Sequence, residues 1–448
     1  MIGHNWKKVL FGFVLTTIVL LLIIGGGVSQ PWRSGPADVA YTANDLATWH
    51  TCGRKTFSAE GRFWLFYSNG SSLYFSSSVD AVSWDTPVFV RADVDDGDKF
   101  FVIDKGSYVY LAVATYTGDD LYFRRGTLSS DGTISWEAEQ TVVVAEQNDQ
   151  FVNPCLAIDS DDFLWIGYSK TEFDIVSNSS VTHPWAVRAS AEDGSSWETP
   201  TQLSTESQRK QASIVSLTQR KMYVILPKAQ NDRIRGRLWN GAAWEPEENV
   251  SKSEFGTPFR HAYSAVSDGD VIHLLFLESS SLNITYVKYS GGVWSNEKTI
   301  QLGASPPVLC LNSTSNALYC LWVYNNTLYV MNSTNNWRGP PEKLVELDSY
   351  CESTLTCFQN VKDSIIGLAW VEGTTAPYKI KYGTCEATAQ GEEENHGDQT
   401  APEFPGWVFF VLAVAVPTAG IVVVMTIWHK VRRRHSQPSK LKQPSLQE

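Results

Sequence analysis

Short apolar segments alternate along the chain with turns rich in Gly, Ser and Asn, and one kind of apolar segment recurs seven times. Its members are aromatic or β-branched and apolar at nearly every position, which is typical of strands covered on both faces. Their spacing of about 45 to 58 residues fits one four-stranded propeller blade. The seven segments centre on Phe66, Leu111, Ile166, Val224, Leu275, Leu321 and Leu368.

A second strand follows each segment, and in six of the seven units it ends in a turn that leads to a Trp. In such a turn Asp or Asn bonds its own backbone, Gly supplies a positive φ, and the Trp returns to fill the space between two blades. The six residues are Trp84, Trp136, Trp197, Trp244, Trp294 and Trp337.

The pattern predicts an all-β fold, a β-propeller of seven blades over residues 38–386, with six blades as the alternative. The last unit lacks an outer strand, which we expect residues near Val39 to Trp49 to supply. A ring closed in this way has no exposed sheet edge.

The first three turns carry a named resemblance, most closely in Ser190-Ala-Glu-Asp193-Gly194-Ser-Ser-Trp197. This segment resembles the Asp box of bacterial neuraminidases, S-x-D-x-G-x-x-W, and the last three turns resemble degenerate copies. Over residues 50–385 the chain is therefore similar to the sialidase-like propellers. Asp boxes lie on the outer rim and occur in glycosidases, lectins and receptors alike, so the resemblance implies a fold rather than an activity.

The resemblance also implies where a sialidase site would lie. Sialidases bind the substrate carboxylate with three arginines, pair a Tyr nucleophile with a Glu, and use an Asp as acid and base. At the starts of the inner strands the matching positions are Arg54, Arg209 and Arg260 for the arginines, Tyr350 with Glu206 or Glu352 for the nucleophile pair, and Asp95 or Asp98 for the acid.

One departure leaves the enzymatic question open. The first arginine of the family stands in an [FY]-R-I-P motif, whereas this chain reads Gly53-Arg54-Lys55-Thr56. We expect no metal and no cofactor, since His183 and His273 have no spaced partners and no C-x-x-C pair occurs.

The two ends predict export and anchoring. Residues 1–30 have the layout of a signal peptide or a signal anchor. Residues 407–428 carry no charge and are long enough to cross a bilayer, between an acidic linker (387–405) and a basic tail (429–448) that should stay cytoplasmic. The PEFPGW segment before the span also resembles the anchors of archaeal surface proteins.

Charge and sequons agree with a domain outside the cell. The net charge is -12, or about -19 without the basic ends, which argues against a nucleic-acid partner. All of the N-x-S/T sequons fall in the exported part, at Asn69, Asn178, Asn249, Asn283, Asn312, Asn325 and Asn332.

The seven cysteines also lie in the exported part, where disulfides persist. Two bridges are predicted: Cys52 to Cys385, joining the two ends of the domain, and Cys310 to Cys320, across a hairpin. The function we expect is a surface-anchored propeller that binds glycans or other surface macromolecules; the alternatives are an exo-glycosidase of sialidase type and a structural envelope protein.

Overall fold

A computed structural model describes residues 32–387, apart from the internal segments 115–119, 147–148, 175–177, 208–210, 229–231, 256–261 and 302–304. The predicted signal segment, membrane span, basic tail and almost all of the acidic linker lie outside the described residues. Within the described part, no helix is long and apolar enough to cross a membrane.

The described residues form seven antiparallel sheets, and each sheet is one blade of a β-propeller. The seven-bladed prediction is confirmed, and the six-bladed alternative is wrong. Apart from strands, the regular structure described is a single turn of 3-10 helix, Gly97–Lys99. Strand β1 is Trp32–Thr42. Blades 1 and 2 consist of β2 Thr56–Ala59, β3 Arg62–Ser68, β4 Ser72–Ser78 and β5 Val88–Ala92, then β6 Phe100–Lys105, β7 Tyr108–Ala114, β8 Leu121–Leu128, β9 Ile134–Trp136 and β10 Gln140–Val143.

Blades 3 to 7 repeat the same order of strands from the axis outwards. Blade 3 contains β11 Gln150–Ile158, β12 Leu164–Asp174, β13 Ser179–Arg188 and β14 Thr201–Gln202. Blade 4 contains β15 Ser213–Ser216, β16 Met222–Leu226, β17 Asp232–Trp239 and β18 Glu248–Phe255. Blade 5 contains β19 Tyr263–Asp268, β20 Val271–Leu277, β21 Ile284–Ser290, β22 Val293–Trp294 and β23 Lys298–Gln301. Blade 6 contains β24 Val308–Asn312, β25 Ala317–Tyr324, β26 Thr327–Asn332 and β27 Glu342–Glu346, and blade 7 contains β28 Thr356–Cys357, β29 Ile365–Glu372 and β30 Tyr378–Glu386.

The repeated apolar segments are the second strands of the blades, β3, β7, β12, β16, β20, β25 and β29. Neighbouring blades cover both faces of these strands, so inward and outward positions are equally buried. All five side chains of β16 are buried, for example. This packing explains why the sequence shows continuous apolar runs instead of alternation.

Strand β1 closes the ring. It pairs antiparallel with β30, from Trp32 opposite Cys385 to Thr42 opposite Tyr378, and becomes the outer strand of blade 7. The prediction that an N-terminal segment completes the last blade is confirmed, although the strand begins earlier than Val39. Blade 7 is thus built from both ends of the domain.

The Trp of each turn packs against an aromatic ring of the preceding blade, as predicted. Trp294 is typical: its ring centroid lies 5.4 Å from that of Tyr223, and its Nε1 donates to the Tyr223 hydroxyl at 2.9 Å. Each turn therefore fastens its own blade to the one before it. The other pairs are Trp84 with Tyr382, Trp136 with Phe66, Trp197 with Phe123, Trp244 with Trp165, and Trp337 with Tyr286.

The Asp-box turn of blade 3 has the internal bond that its sequence predicts. Asp193 Oδ1 accepts the backbone N–H of Ser195 at 2.9 Å, and Gly194 has a φ of +72°. A Cβ at Gly194 would lie 2.6 Å from Cε1 of Phe123, so both the conformation and the close contact require glycine. The turn thus has a structural role.

The predicted disulfides are absent, because all seven cysteines, which fall in the described part, are free thiols. Cys310 lies opposite Tyr319 and Cys320 lies opposite Leu309, so the two thiols point to opposite faces of the hairpin. The bridge to Cys385 is wrong as well. Cys52 lies at the ring centre, where its thiol accepts a hydrogen bond from Gln211 Nε2 at 2.7 Å, whereas Cys385 lies on β30 opposite Trp32 of the outer strand β1.

Candidate functional site

The inner strands of the blades all run in the same direction, so one side of the ring collects the loops that precede them. We call this side the front face; it is the side on which Thr56, Phe100, Val308 and Thr356 begin their strands. The sialidase-like resemblance places the candidate residues here. The structure brings several of them to the front face, in very different surroundings.

Arg54 lies at the centre of the ring and is 4% exposed. Its Nη2 donates to the Leu309 carbonyl at 2.8 Å, and its Nη1 lies 3.4 Å from the Cys357 carbonyl. Ser264 and the Ala265 carbonyl on β19 are further acceptors, at 3.5 and 3.4 Å. The guanidinium thus ties the segment before blade 1 to the inner strands of blades 5, 6 and 7.

Lys55 is also buried at the centre, with 1% of its surface exposed. Its Nζ donates to the Phe100 carbonyl and lies 4.0 Å from the centroid of the Phe100 ring. Burial lowers the pKa of Lys55 to about 7, although the nearby Cys52 and Asp98 oppose the shift. The sequence did not single out this amine, because nothing in Gly53-Arg54-Lys55 shows that the side chain turns inwards.

The two candidate acids differ in burial. Asp98 is buried in the 3-10 turn and lines a narrow space of about 10 Å³ with Lys55 and Asn153. Asp95 is half exposed and forms an ion pair with Lys99. The space beside Asp98 holds at most a water molecule, so a sugar substrate does not fit against it.

Tyr350 and Glu352 line one cavity of about 360 Å³ on the front face, between blades 5, 6 and 7. We call it the front-face cavity; its walls are Leu282, Ser305, Val323, Tyr324, Asn325, Asn326, Tyr350 and Glu352. The prediction that Tyr350 has a carboxylate neighbour therefore describes Glu352. Glu206 lies elsewhere, in the connection between blades 3 and 4, with its Oε2 4.0 Å from Lys228 Nζ.

The Tyr350 hydroxyl accepts the backbone N–H of Leu355 at 3.2 Å. Burial raises the pKa of Tyr350 well above its usual value, and the charge of Glu352 adds to that rise. Burial raises the pKa of Glu352 as well. The rise at Tyr350 is the opposite of the lowered pKa that would activate a nucleophile.

The arginine site predicted from the resemblance is described only in part. Arg209 and Arg260 lie outside the described residues, and their role stays a prediction. Arg54 is described, and its guanidinium donates to backbone carbonyls at the ring centre.

Tyr324 is an exposed aromatic residue of this cavity that the sequence did not point to. It ends the apolar strand β25 and is 48% exposed. The next two residues, Asn325 and Asn326, have φ values of 47° and 54° and form the tight turn to β26. An aromatic residue directly before an Asn-Asn turn was the available signal, since such a residue stands at a sheet end beside solvent.

A second cavity, of about 270 Å³, follows the axis behind Arg54. Asp104 lines it together with Gln359 and Asn360. The other carboxylate in this wall, Asp159, accepts a hydrogen bond from Trp165 Nε1 at 3.1 Å and belongs to the core of blade 3.

His273, on β20, has a structural role. His273 Nδ1 is hydrogen-bonded to the Tyr286 hydroxyl at 2.7 Å, and burial lowers its pKa to about 4. In the parts of the chain that are described, no group of three His, Cys, Asp or Glu side chains is placed to hold a metal ion.

No protein-family model matches this chain, and no curated protein matches it. Among solved structures, the chain is similar to the polysaccharide lyase Uly1, with 9% identity and a TM-score of 0.49 over 81% of this chain and 96% of the lyase. It is also similar to the Trypanosoma rangeli sialidase in complex with the inhibitor DANA, with 11% identity and a TM-score of 0.46 over 79% of this chain and 58% of the sialidase chain.

Virginiamycin B lyase from Staphylococcus aureus is a third neighbour, with 12% identity and a TM-score of 0.46 over 78% of this chain and 99% of the lyase. These likenesses are remote. The assignment of a seven-bladed propeller rests on the seven sheets themselves.

Proposed function

We propose that this chain is a cell-surface β-propeller, held in the membrane by residues 407–428, that binds glycans in the front-face cavity. The observation that carries the proposal is the half-exposed Tyr324 ring beside Glu352 and Asn325 in a cavity of about 360 Å³. Its volume falls within the range of about 300 to 1,000 Å³ that is common for ligand sites.

The composition of the cavity suits a sugar. The apolar face of a sugar ring stacks on an aromatic ring such as that of Tyr324, while its hydroxyl groups bond to carboxylate, amide and hydroxyl groups. Glu352, Asn325 and Ser305 supply one group of each kind. The acidic surface of the exported part disfavours nucleic acid as the ligand.

A glycan array with the full-length protein in detergent micelles tests this proposal. We expect binding that Tyr324→Ala reduces at least tenfold, because the stacking surface is removed. Tyr41→Ala is the matched control, since Tyr41 is an exposed tyrosine (61%) on β1 and does not line the cavity. Equal binding by both variants, or no binding at all, would contradict the proposal, and the second outcome favours a structural envelope protein.

Asn325 needs its own control because it begins a predicted glycosylation sequon, Asn325-Asn326-Thr327. A glycan attached there would occupy the cavity. Thr327→Val removes the sequon at a buried position without changing the residues that line the cavity. If Asn325 is occupied, this variant binds more tightly than the wild type.

The sialidase alternative is favoured by one observation, the shared cavity of Tyr350 and Glu352. Against it stand the raised pKa of Tyr350 and the backbone bonds of Arg54. We therefore expect the full-length protein to release no fluorophore from a fluorogenic sialoside. If the wild type releases the fluorophore and Tyr350→Phe does not, the function is catalysis rather than binding.

A further inference from the structure

The front-face cavity has a negative charge in its wall and no positive one. Among the described residues that form this wall, Glu352 is the single charged one, and the others are apolar or neutral polar residues. Glu352 is also exposed to solvent. A ligand that enters the cavity therefore meets one accessible carboxylate.

Glu352 differs from other carboxylates in the loops that lead to the inner strands. Three of those carboxylates are each paired with a lysine. The pairs are Asp95 with Lys99, Asp149 with Lys170, and Glu206 with Lys228. In the part of the chain that the structure describes, Glu352 forms no ion pair with a Lys or an Arg. Its charge is therefore available to a positive group of a ligand.

Tyr324 gives the same cavity an aromatic surface. Its side chain is 48% exposed, and Tyr350 also lines the cavity. The face of a tyrosine ring attracts a cation that lies within about 6 Å of the ring centre. A carboxylate and aromatic rings are the two kinds of group that bind an organic cation most strongly. The cavity combines both.

We propose that the front-face cavity selects glycans by charge and binds sugars that carry a protonated amino group. The inference rests on the proposed function, because it names the class of glycan that the cavity takes. The sugar ring stacks on Tyr324, and its ammonium group donates to the carboxylate of Glu352. A sugar with a carboxylate of its own meets a like charge there and binds more weakly.

Three methyl glycosides with the same ring separate charge from shape. At a slightly acidic pH, methyl β-glucosaminide is positive, methyl β-glucoside is neutral and methyl β-glucuronide is negative. A ligand-observed NMR titration measures their binding to the full-length protein in detergent micelles. We expect the glucosaminide to bind about tenfold more tightly than the glucoside, and the glucuronide to bind about fivefold more weakly than the glucoside.

Glu352→Gln tests the charge because it keeps the size of the side chain. In this variant the three glycosides should bind within about twofold of one another. Glu346→Gln is the matched control, since Glu346 is an exposed carboxylate on β27 that does not line the cavity. It changes the net charge by the same amount and should keep the order that the wild type shows.

Two further variants separate charge from other effects. Tyr324→Ala should weaken the binding of all three glycosides, because each stacks on the same ring. Thr327→Val removes the sequon at Asn325, so that no glycan attached there fills the cavity during the titrations. The preference for the glucosaminide should be the same in this variant as in the wild type, or clearer.

The outcomes distinguish this inference from the proposed function. Equal binding of the three glycosides, or a preference for the glucuronide, overturns the inference and leaves glycan binding intact. A preference that Glu346→Gln loses as fully as Glu352→Gln overturns it too, because the attraction would then come from the overall charge of the domain. If no methyl glycoside binds while the glycan array shows binding, the inference is also wrong. If the array shows no binding either, the proposed function fails.

Discussion

The centre of the ring and the front-face cavity both collect polar side chains, and they use them in opposite ways. At the centre, Arg54 and Lys55 are buried and donate to backbone carbonyls. In the cavity, Tyr324 is half exposed beside Glu352. The polar residues at the centre therefore join blades, whereas those of the front-face cavity face solvent, where a ligand can meet them.

The largest effect on stability should come from a substitution at the ring centre. Arg54→Met leaves carbonyls on several inner strands without their donor, and each unsatisfied buried group costs about 1–3 kcal/mol. We expect a loss of about 4 kcal/mol in the free energy of unfolding, measured by urea denaturation. Arg233→Met, at an exposed arginine, is the control and should change it by less than about 0.5 kcal/mol. Similar values for the two variants would mean that Arg54 does not tie the blades together.

The next effect depends on pH. The pKa of Lys55 is about 7 in the folded protein and 10.5 in its usual state, so between these values the folded chain binds fewer protons than the unfolded chain. Stability from this group is complete above pH 10.5 and falls as the pH drops towards 7. The free energy of unfolding should therefore rise by about 2–3 kcal/mol more in the wild type than in Lys55→Met from pH 7 to 9.

The control for this pH dependence is Lys343→Met, at an exposed lysine on β27. It should keep the rise that the wild type shows. A rise of equal size in Lys55→Met would assign the pH dependence to other groups and would place the Lys55 amine in contact with water.

A smaller effect on stability is expected from Tyr350, which lines the cavity and also bonds the backbone. Tyr350→Phe removes the acceptor of the Leu355 N–H and should cost about 1 kcal/mol of unfolding free energy. Glycan binding should persist, because the aromatic wall remains. Loss of binding without loss of stability would instead give the hydroxyl a direct role with the ligand.

The smallest effect on stability should come from Tyr324→Ala, for which we expect a change within about 0.5 kcal/mol. The same substitution has the largest expected effect on glycan binding. The substitution at Arg54 should therefore affect stability most, and the substitution at Tyr324 should affect glycan binding most. Thermal unfolding and glycan-array binding of both variants measure these two effects. If either variant lost both stability and binding, the ring centre and the front-face cavity would not have separate roles.

The strands and the Trp turns could be predicted because residues close together in the sequence determine them. A continuous apolar run marks a strand covered on both faces, and a turn such as Asp193-Gly194 fixes its own conformation. The closing strand β1 could also be predicted, because the last repeat unit lacks an outer strand in the sequence.

The site was less predictable because its contacts are distant in sequence. Arg54 meets acceptors 255 and 303 residues further along the chain, so its neighbours do not show whether it points to the axis or to the mouth. The Cys310 and Cys320 thiols were assigned to one face, but a register difference of one residue places them on opposite faces. The exposure of Tyr324 likewise depends on the loops of blades 5 and 7.

The pairing of β1 with β30 has a mechanical consequence. Trp32, at the start of β1, lies opposite Cys385, near the end of β30, and the two strands are antiparallel. A pull that separates these two points peels the hydrogen bonds of the pair one after another instead of shearing them all at once. Under tension, blade 7 is therefore where the ring would open first, while the other six blades stay closed.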